Sequence, residues 1–285
     1  MKVAVCTASG NLGSAIVESL KVEIGKENIV GIARTPEKAA FLDVEIRKGD
    51  YNSKADFISA LKGIDVVLLV SGMDHPDKRI EQHRNVIEAA VENGVRKIVY
   101  TSIMGAEKGN GFSPVVASNR QTEEDIKRSG LQWAIGRNGI YIEPDLEYLA
   151  NYEKEGGIIN CAGEGLCAYT SRDELAYAYT KLIIDDNLNS ETYNLMGEAI
   201  TQQQLSTLIN SAFDTHLTYK YITASEFTRS RQAALGELLG SIIGGIYEGI
   251  SQGHFNGRSD YMKAAGRPHK TASELIDNYK RDTSA

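Results

Sequence analysis

Gly10 and Gly13 lie three positions apart, just after a short apolar run near the start of the chain. The run Val3–Cys6 leads into a turn of small residues, and a helical pattern of apolar residues begins at once. Such a turn lets the backbone approach a diphosphate, and the helix start offers unpaired N–H groups and a positive dipole end. This arrangement predicts a pyrophosphate-binding turn made of Thr7, Ser9, Gly10, Asn11, Leu12 and Gly13.

Arg34 follows the next apolar run, in Gly31-Ile32-Ala33-Arg34, and stands 21 positions beyond Gly13. That offset is close to the distance at which a dinucleotide fold meets the adenosine ribose. An acidic residue there would favour NAD, whereas a planar guanidinium pairs with the 2′-phosphate of NADP. The alternative is a solvated surface arginine, but the position at a strand end favours NADP(H), with Lys38 as support.

Further candidates follow the later apolar runs, where open α/β sheets hold their ligands. Asp50 and Tyr51 come after the third run, where either an adenine contact or a simple turn is expected. The Val70-Ser71-Gly72 segment ends the fourth run, and its small residues leave room for a cofactor ribose. Thr101 and Ser102 end the fifth run at the same edge, where they face the expected nicotinamide position.

The sixth run ends in Arg137-Asn138-Gly139-Ile140-Tyr141 and leads into the second half of the chain. Residues in such a crevice touch both cofactor and substrate, so we expect Arg137, Asn138 and Gly139 to line the cofactor site. The alternative is a domain-joining turn held by Asn138 and Gly139. The candidates for catalysis are Asn138, Tyr141 and Ser102.

A familiar reductase signature is missing from this chain. Short-chain reductases place Tyr-x-x-x-Lys on the helix after the fifth strand, where the lysine lowers the pKa of the proton-donating tyrosine. The corresponding stretch here, Ala117–Glu123, contains neither residue. Tyr177 and Lys181 do have this spacing, but they lie in a later tyrosine-rich segment. We therefore do not assign them a catalytic role.

The elements that position these residues alternate between apolar strands and amphipathic helices. This pattern predicts an α/β fold of the Rossmann type, a doubly wound parallel sheet with helices on both faces. The predicted strands are Val3–Cys6, Asn28–Ala33, Glu45–Lys48, Val66–Val70, Lys97–Thr101 and Gln132–Gly136. The predicted helices between them are Leu12–Lys21, Lys38–Leu42, Lys54–Leu61, His83–Asn93 and Thr122–Arg128.

The regular alternation of predicted strands and helices becomes weaker after Tyr141. We predict an NAD(P)-binding domain over 1–140 and a smaller C-terminal α/β substrate lobe over 141–285. The boundary between them is not sharp, and parts of the second stretch can add to the main sheet. The glycine-interrupted apolar segment Leu235–Ile246 has two interpretations, a partner or dimer face and a helix pair buried over the substrate pocket. The second is favoured.

Composition narrows the function classes. The net charge of −7 argues against a general nucleic-acid-binding surface, which needs surplus lysine and arginine. Three cysteines without a readable secretory signal or membrane span indicate reduced thiols and a cytoplasmic location. The five histidines show no metal-ligand spacing, so no metal is expected.

Taken together, these segments resemble the NmrA-like branch of atypical short-chain dehydrogenases, including bacterial quinone and triphenylmethane reductases. The resemblance rests on T-A-S-G-N-L-G, I-A-R-T-P-E-K, G-D-Y, Q-H-R-N-V-I-E-A-A, V-R-K-I-V-Y-T-S and R-N-G-I-Y. It implies NADP(H) held by the glycine turn and Arg34, and it places Arg172 near the cofactor. Two departures stand out: Thr7 replaces the usual first glycine, and Asn119 stands where relatives often carry lysine or histidine.

The resemblance implies hydride transfer from NADPH to a quinone-like acceptor, a small molecule whose anionic product can take its proton from water. A different function is also open. Some NmrA-like proteins bind NAD(P) and report redox state to a partner without turnover, and the missing Tyr-Lys pair fits such a sensor. A homodimer is compatible with either function.

Overall fold

The computed structural model describes residues 1–284, and within them the chain forms twelve strands and twelve α-helices. In chain order the strands are β1 (Val3–Cys6), β2 (Ile29–Ala33), β3 (Glu45–Lys48), β4 (Val66–Val70), β5 (Lys97–Ile103), β6 (Gln132–Asn138), β7 (Ile140–Tyr141), β8 (Gly157–Asn160), β9 (Cys167–Thr170), β10 (Glu191–Leu195), β11 (Ala199–Ile200) and β12 (Thr218–Tyr221). The helices are α1 (Asn11–Ile24), α2 (Lys54–Ala60), α3 (Pro76–Glu92), α4 (Ser113–Arg128), α5 (Glu143–Glu147), α6 (Leu149–Glu155), α7 (Arg172–Ile184), α8 (Gln202–Phe213), α9 (Ala224–Leu235), α10 (Glu237–Ser251), α11 (Tyr261–Ala265) and α12 (Ala272–Ser284).

Seven strands form one parallel sheet in the order β10-β6-β5-β4-β1-β2-β3. Strands such as β4, with the sequence VVLLV, are apolar throughout because both faces of the sheet are covered. From β1 the chain proceeds outward through β2 and β3, whereas β4 starts the run in the opposite direction. The carboxyl ends of β1 and β4 therefore flank the crevice where open α/β sheets bind ligands.

Helices pack on both faces of this sheet. On one face α1 and α7 enclose a core that includes Ile16 and Tyr179. On the other face α2, α3 and α4 enclose a second core that includes Phe57 and Tyr100. The structure confirms the predicted doubly wound α/β fold.

Several predicted elements begin or end elsewhere. The predicted helix His83–Asn93 begins at Pro76, where proline fits the first helical turn and Asp77 complements the dipole. The predicted helix Thr122–Arg128 begins at Ser113, again beside a proline. The predicted helix Lys38–Leu42 is a 3₁₀ segment over Pro36–Leu42. These starts were missed because the apolar periodicity is strong only in the later turns.

Residues 141–284 contribute to two regions. Two small sheets, β11-β9-β7 and β12-β8, surround a third apolar core that includes Phe255 and Leu205. The same stretch returns to the main sheet, because β10 pairs in parallel with β6 and α7 packs against α1. Among the described residues, none of the helices combines the length and apolar composition that crossing a bilayer requires.

The segment Leu235–Ile246 forms the turn between α9 and α10 and the first part of α10. A Cβ on Gly240 would lie 2.3 Å from the Gln232 nitrogen, and one on Gly245 would lie 2.1 Å from the Phe112 nitrogen. These glycines therefore allow α10 to pack closely against α9 and against the loop before α4. Leu235, Leu238 and Leu239 at the tip of the hairpin stay exposed.

Candidate functional site

The glycine turn links β1 to α1 at the carboxyl edge of the sheet. Gly10 is the residue before α1 and donates its N–H to the Thr7 carbonyl over 2.8 Å. The helix start carries no side-chain cap and no acidic residue in its first turn. Ser9, Gly10 and Asn11 are exposed, whereas Leu12 is buried. The first amides of α1 are therefore open to an anion.

Gly13 has a steric reason for being glycine. A Cβ at this position would lie 2.3 Å from the Thr7 carbonyl oxygen, so α1 can approach the turn only without a side chain. Thr7 itself has φ of +50°, a conformation that β-branched residues rarely adopt. Its hydroxyl makes no hydrogen bond within residues 1–284, so the only local hydrogen bond that supports this conformation there is the one from the Gly10 N–H to its carbonyl.

Arg34 directly follows β2 and is exposed, as is Lys38. Within residues 1–284, the Arg34 guanidinium forms no ion pair or hydrogen bond. A free guanidinium at this edge retains all of its donors for a ligand phosphate. Arg34 thus stands at the carboxyl end of the strand next to β1, and its role toward a 2′-phosphate stays a prediction.

Side chains from four elements hold the Val70–Gly72 segment after β4. The Tyr51 hydroxyl donates to the Val70 carbonyl over 2.6 Å, and the Thr101 hydroxyl accepts the Ser71 N–H over 2.9 Å. The Ser71 hydroxyl donates to the amide oxygen of Asn119 over 3.0 Å. Gly72 is fixed through its N–H by His83, a residue that the sequence had not singled out.

Asp50 and Tyr51 belong to the turn after β3. The Asp50 carboxylate accepts the backbone N–H of Asn52 over 3.0 Å, which closes the turn. The Tyr51 ring stacks on Phe57 with a centroid distance of 5.6 Å. Because the Tyr51 hydroxyl is bound to Val70, this side chain supports the β4 end from within the fold.

Asn138 and Tyr141 are brought together as a pair. The Asn138 amide nitrogen lies 2.9 Å from the Tyr141 phenolic oxygen, and the Tyr179 hydroxyl donates to the amide oxygen of Asn138 over 2.6 Å. Burial raises the pKa of Tyr141 to about 12, so its hydroxyl is protonated at neutral pH. Between them, Gly139 leaves no room for a side chain, because a Cβ would lie 2.7 Å from the Ala168 carbonyl.

Ser102 and Arg137 point to the α4 side of the sheet and meet Glu123. The Ser102 hydroxyl donates to Glu123 over 2.6 Å, and Arg137 holds the same carboxylate through two nitrogens at 2.9 and 2.6 Å. Arg120 adds a third contact at 2.8 Å. Burial alone would raise the pKa of Glu123, but the hydrogen bonds from Arg137 and Ser102 hold it below its ordinary value. These two side chains thus lie apart from the Asn138–Tyr141 pair.

Arg172 begins α7 and lines a cavity of about 320 Å³ beside the first turn of α1. Its guanidinium is bound to Glu147 over 2.8 Å, and its backbone N–H donates to Glu143 over 2.6 Å. The other oxygen of Glu143, Oε2, is buried without a hydrogen-bond partner in the described chain, and burial raises the pKa of this carboxyl. The cavity also contains Asn11 and Ser14, so it adjoins the predicted pyrophosphate turn.

Three polar residues near this edge were not predicted from the sequence: His83, Glu123 and Glu143. Their partners lie in other elements, so no local spacing reveals them. One signal was present, since His83 lies within the Q-H-R-N-V-I-E-A-A segment that carries the resemblance. Within residues 1–284, no three His, Cys, Asp or Glu side chains come together as metal ligands.

Comparisons with known proteins agree with this geometry. A family model described as NAD(P)H-binding matches residues 7–183. Quinone oxidoreductase 2 of Escherichia coli is 30% identical over 97% of this chain and 98% of its own length. An NmrA-like oxidoreductase of Aspergillus flavus is 29% identical over 80% of this chain and 76% of that protein.

Two solved structures share the whole fold. The Escherichia coli NADPH-dependent quinone oxidoreductase in complex with NADPH has a TM-score of 0.90 at 30% identity, and the match covers 98% of this chain and 99% of that one. The Citrobacter sp. triphenylmethane reductase in complex with NADP(H) has a TM-score of 0.89 at 28% identity, with the same coverage. The chain therefore belongs to the NAD(P)H-binding, NmrA-like family of reductases.

Proposed function

We propose that this protein transfers a hydride from NADPH to a quinone-like acceptor. The observation that carries the proposal is the open amide end of α1, which has neither a side-chain cap nor an acidic residue in its first turn. The strand before it, β1, pairs with β2, and Arg34 at the end of β2 is unpaired within residues 1–284. This combination suits a pyrophosphate together with an additional phosphoryl group. Relatives that match almost the entire chain are described as NADPH-dependent quinone oxidoreductases.

The residues present fit a nicotinamide dinucleotide in detail. The glycine turn would hold the pyrophosphate, Arg34 the 2′-phosphate, and Val70, Ser71, Gly72 and Thr101 the path of the ribose. The backbone of Asp50 and Tyr51 would border the adenine end, and Asn138, Gly139 and Arg172 the nicotinamide end. The Arg137 side chain faces α4 and holds Glu123, so only the backbone of Arg137 would border the cofactor. The bound dinucleotide supplies the hydride from its nicotinamide ring.

The chain itself would bind and orient the dinucleotide and the acceptor, and it would stabilise the reduced acceptor by a hydrogen bond. Reduction of a quinone requires a hydride and one proton, and the products are a hydroquinone and the oxidised dinucleotide. Tyr141 offers a hydroxyl hydrogen that no residue among 1–284 accepts, while Asn138 holds the oxygen in place. Tyr141 would therefore donate a hydrogen bond to the oxygen of the reduced acceptor and keep its own proton, and water would supply the proton that completes the hydroquinone.

Cofactor preference tests the assignment. We expect NADPH to bind at least about tenfold more tightly than NADH, since a charged hydrogen bond to a 2′-phosphate contributes ~1.5–3 kcal/mol. Arg34→Glu should remove this preference because it replaces attraction by repulsion. Arg128→Glu, at the exposed end of α4, makes the same charge change as a matched control and should leave the preference intact. A wild-type preference below about tenfold contradicts the role of Arg34.

A redox sensor remains the second candidate. The observation in its favour lies on α4, where the buried amide oxygen of Asn119 is held by Ser71 and by Tyr100, so this helix presents no proton donor there. Turnover with a panel of quinones and dyes separates the two functions. Binding of NADPH without oxidation by any of them would support the sensor.

Three further expectations stay predictions of this proposal. They are a cytoplasmic location, a homodimer, and the absence of nucleic-acid binding. The first is supported by three buried free cysteines, and the last by the net charge of −7. Light scattering of the purified protein measures the oligomeric state directly.

A further inference from the structure

His83 lies in the protein core and contacts the turn after β4 from behind. It lies on α3, is only 1% exposed, and its Nε2 atom accepts the backbone N–H of Gly72 over 3.0 Å. Gly72 has no side chain, so only its backbone groups can form hydrogen bonds, and its N–H is the one that His83 binds. The preceding residue, Ser71, is held in the same manner by the Thr101 hydroxyl.

The hydrogen bonds around His83 determine its tautomer. The Thr122 hydroxyl donates its own hydrogen to the Ser118 carbonyl over 3.1 Å, and its oxygen lies 2.9 Å from His83 Nδ1. Nδ1 must therefore carry the hydrogen, because Nε2 accepts from Gly72. The imidazole is neutral and has both ring nitrogens satisfied, so it can hold the Gly72 amide in one position.

The surroundings prevent the ring from turning. The Tyr51 and Tyr100 rings contact it edge to face, with centroid distances of 5.8 and 5.6 Å. Tyr51 in turn holds the Val70 carbonyl, and Tyr100 donates to Asn119 over 2.6 Å. One connected group of side chains thus fixes both the amide and the carbonyl groups of the turn after β4.

We propose that His83 is a positioning residue for the nicotinamide half of the cofactor. By fixing the Gly72 amide, it holds the Val70–Gly72 turn in the one conformation along which the ribose of that half can lie. The inference rests on the proposed function, since it takes this turn as part of the NADPH site. Arg34, which would hold the adenosine half, follows β2 on the far side of β1 from β4, so the Gly72 amide that His83 fixes lies on the side of the nicotinamide half.

Two substitutions separate the two nitrogens of the ring. In His83→Gln the amide oxygen can take the place of Nε2 and accept from Gly72. In His83→Asn the shorter amide can reach Thr122 but leaves the Gly72 N–H unpaired. Both variants put a neutral polar residue in the same buried position, so a general loss of packing should affect them alike.

The measurement compares two ligands by titration calorimetry. NADPH contains both halves, whereas adenosine 2′,5′-bisphosphate contains only the adenosine half with its extra phosphate. We expect His83→Asn to weaken NADPH binding by about tenfold or more. In the free variant the Gly72 turn can leave its binding conformation to pair the amide with water, and binding must then reverse this at a cost of that order. Binding of the bisphosphate should change by less than about twofold, and His83→Gln should restore NADPH affinity to within about threefold of the wild type.

Equal effects of the two variants, equal weakening of both ligands, or unchanged NADPH affinity in His83→Asn would each overturn the proposal. If His83→Asn does not fold, His83→Leu also removes the acceptor of the Gly72 N–H, and the same selective loss of NADPH affinity is expected. If that variant shows no selective loss of NADPH affinity, the proposal is wrong. Failure of the proposed function is seen separately, because wild-type protein would then either bind neither ligand or bind NADPH without its oxidation by any quinone or dye of the panel.

Discussion

The Asn138 amide nitrogen donates to the Tyr141 phenolic oxygen, and this bond leaves the hydroxyl hydrogen of Tyr141 free of any acceptor in residues 1–284. Asn138 is itself fixed from behind by Tyr179, whose hydroxyl also lies 2.9 Å from the Gly136 carbonyl. The three side chains therefore form a directed chain of hydrogen bonds. It starts in the core next to β6 and ends at a donor in the crevice.

Tyr141→Phe should slow quinone reduction without affecting cofactor binding. We expect the rate of NADPH oxidation in a single turnover to fall by about tenfold, which is below the ~10²–10⁴-fold loss of a full general acid because water protonates the product. The control is Tyr177→Phe, which removes the hydroxyl of the Tyr177-x-x-x-Lys181 match. Lys181 is bound to Glu23, away from the crevice, so this control should keep the wild-type rate. If Tyr177→Phe oxidised NADPH more slowly while Tyr141→Phe kept the wild-type rate, the catalytic role would belong to Tyr177 and not to Tyr141.

Gly13→Ala should damage the dinucleotide turn, whereas Gly10→Ala should be far milder. A Cβ on Gly13 would lie 2.3 Å from the Thr7 carbonyl oxygen, while one on Gly10 would lie 3.3 Å from the same atom. The first contact forces α1 away from the turn and should cost about 1–3 kcal/mol in the free energy of unfolding. Denaturant unfolding and NADPH titration measure both effects. Similar losses in the two variants would show that the close approach is not the cause.

The fold was largely predictable because its strands are continuous apolar runs with helical patterns between them. Asn138 and Tyr141 were each named as candidates from their position at a strand end, but the hydrogen bond between them was not predicted, and their catalytic roles stay predictions. His83 and Glu123 were not predictable, because they reach Gly72 and Ser102 from positions 11 and 21 residues along the chain. Those contacts depend on how α3 and α4 pack against the sheet. The left-handed backbone conformation of Thr7 could not be predicted either, because threonine rarely adopts it.

Glu123→Gln should destabilise the protein much more than Glu124→Gln. Glu123 is 1% exposed and joins Ser102, Arg120 and Arg137, so its loss as an anion leaves two guanidinium groups facing each other in a half-buried site. Breaking such a group costs about 3 kcal/mol. Glu124 makes exposed ion pairs with Lys127 and Arg128, and its substitution should cost less than about 0.5 kcal/mol. Comparable unfolding free energies for the two variants would contradict this ranking.

The stability of the protein should fall in mildly acidic solution because of His83. Burial, with a smaller contribution from the charge of Arg79, lowers the pKa of His83 from 6.5 to about 3 in the folded chain. The unfolded chain therefore takes up this proton first as the pH decreases. The contribution of His83 to stability is complete above 6.5 and is lost progressively as the pH falls towards the folded value.

Urea unfolding at about pH 7 and about pH 5 measures this contribution. A group with an ordinary pKa in the unfolded state and a much lower one in the fold should account for about 2 kcal/mol between those two conditions. His83→Gln has no titrating group at this position, so its pH dependence should be smaller by that amount. The pKa of His269 is also lowered by burial, but it is present in both proteins and its effect cancels in the difference. Parallel pH profiles of the two proteins would mean that the imidazole is accessible to protons in the folded state, against the geometry around Gly72 and Thr122.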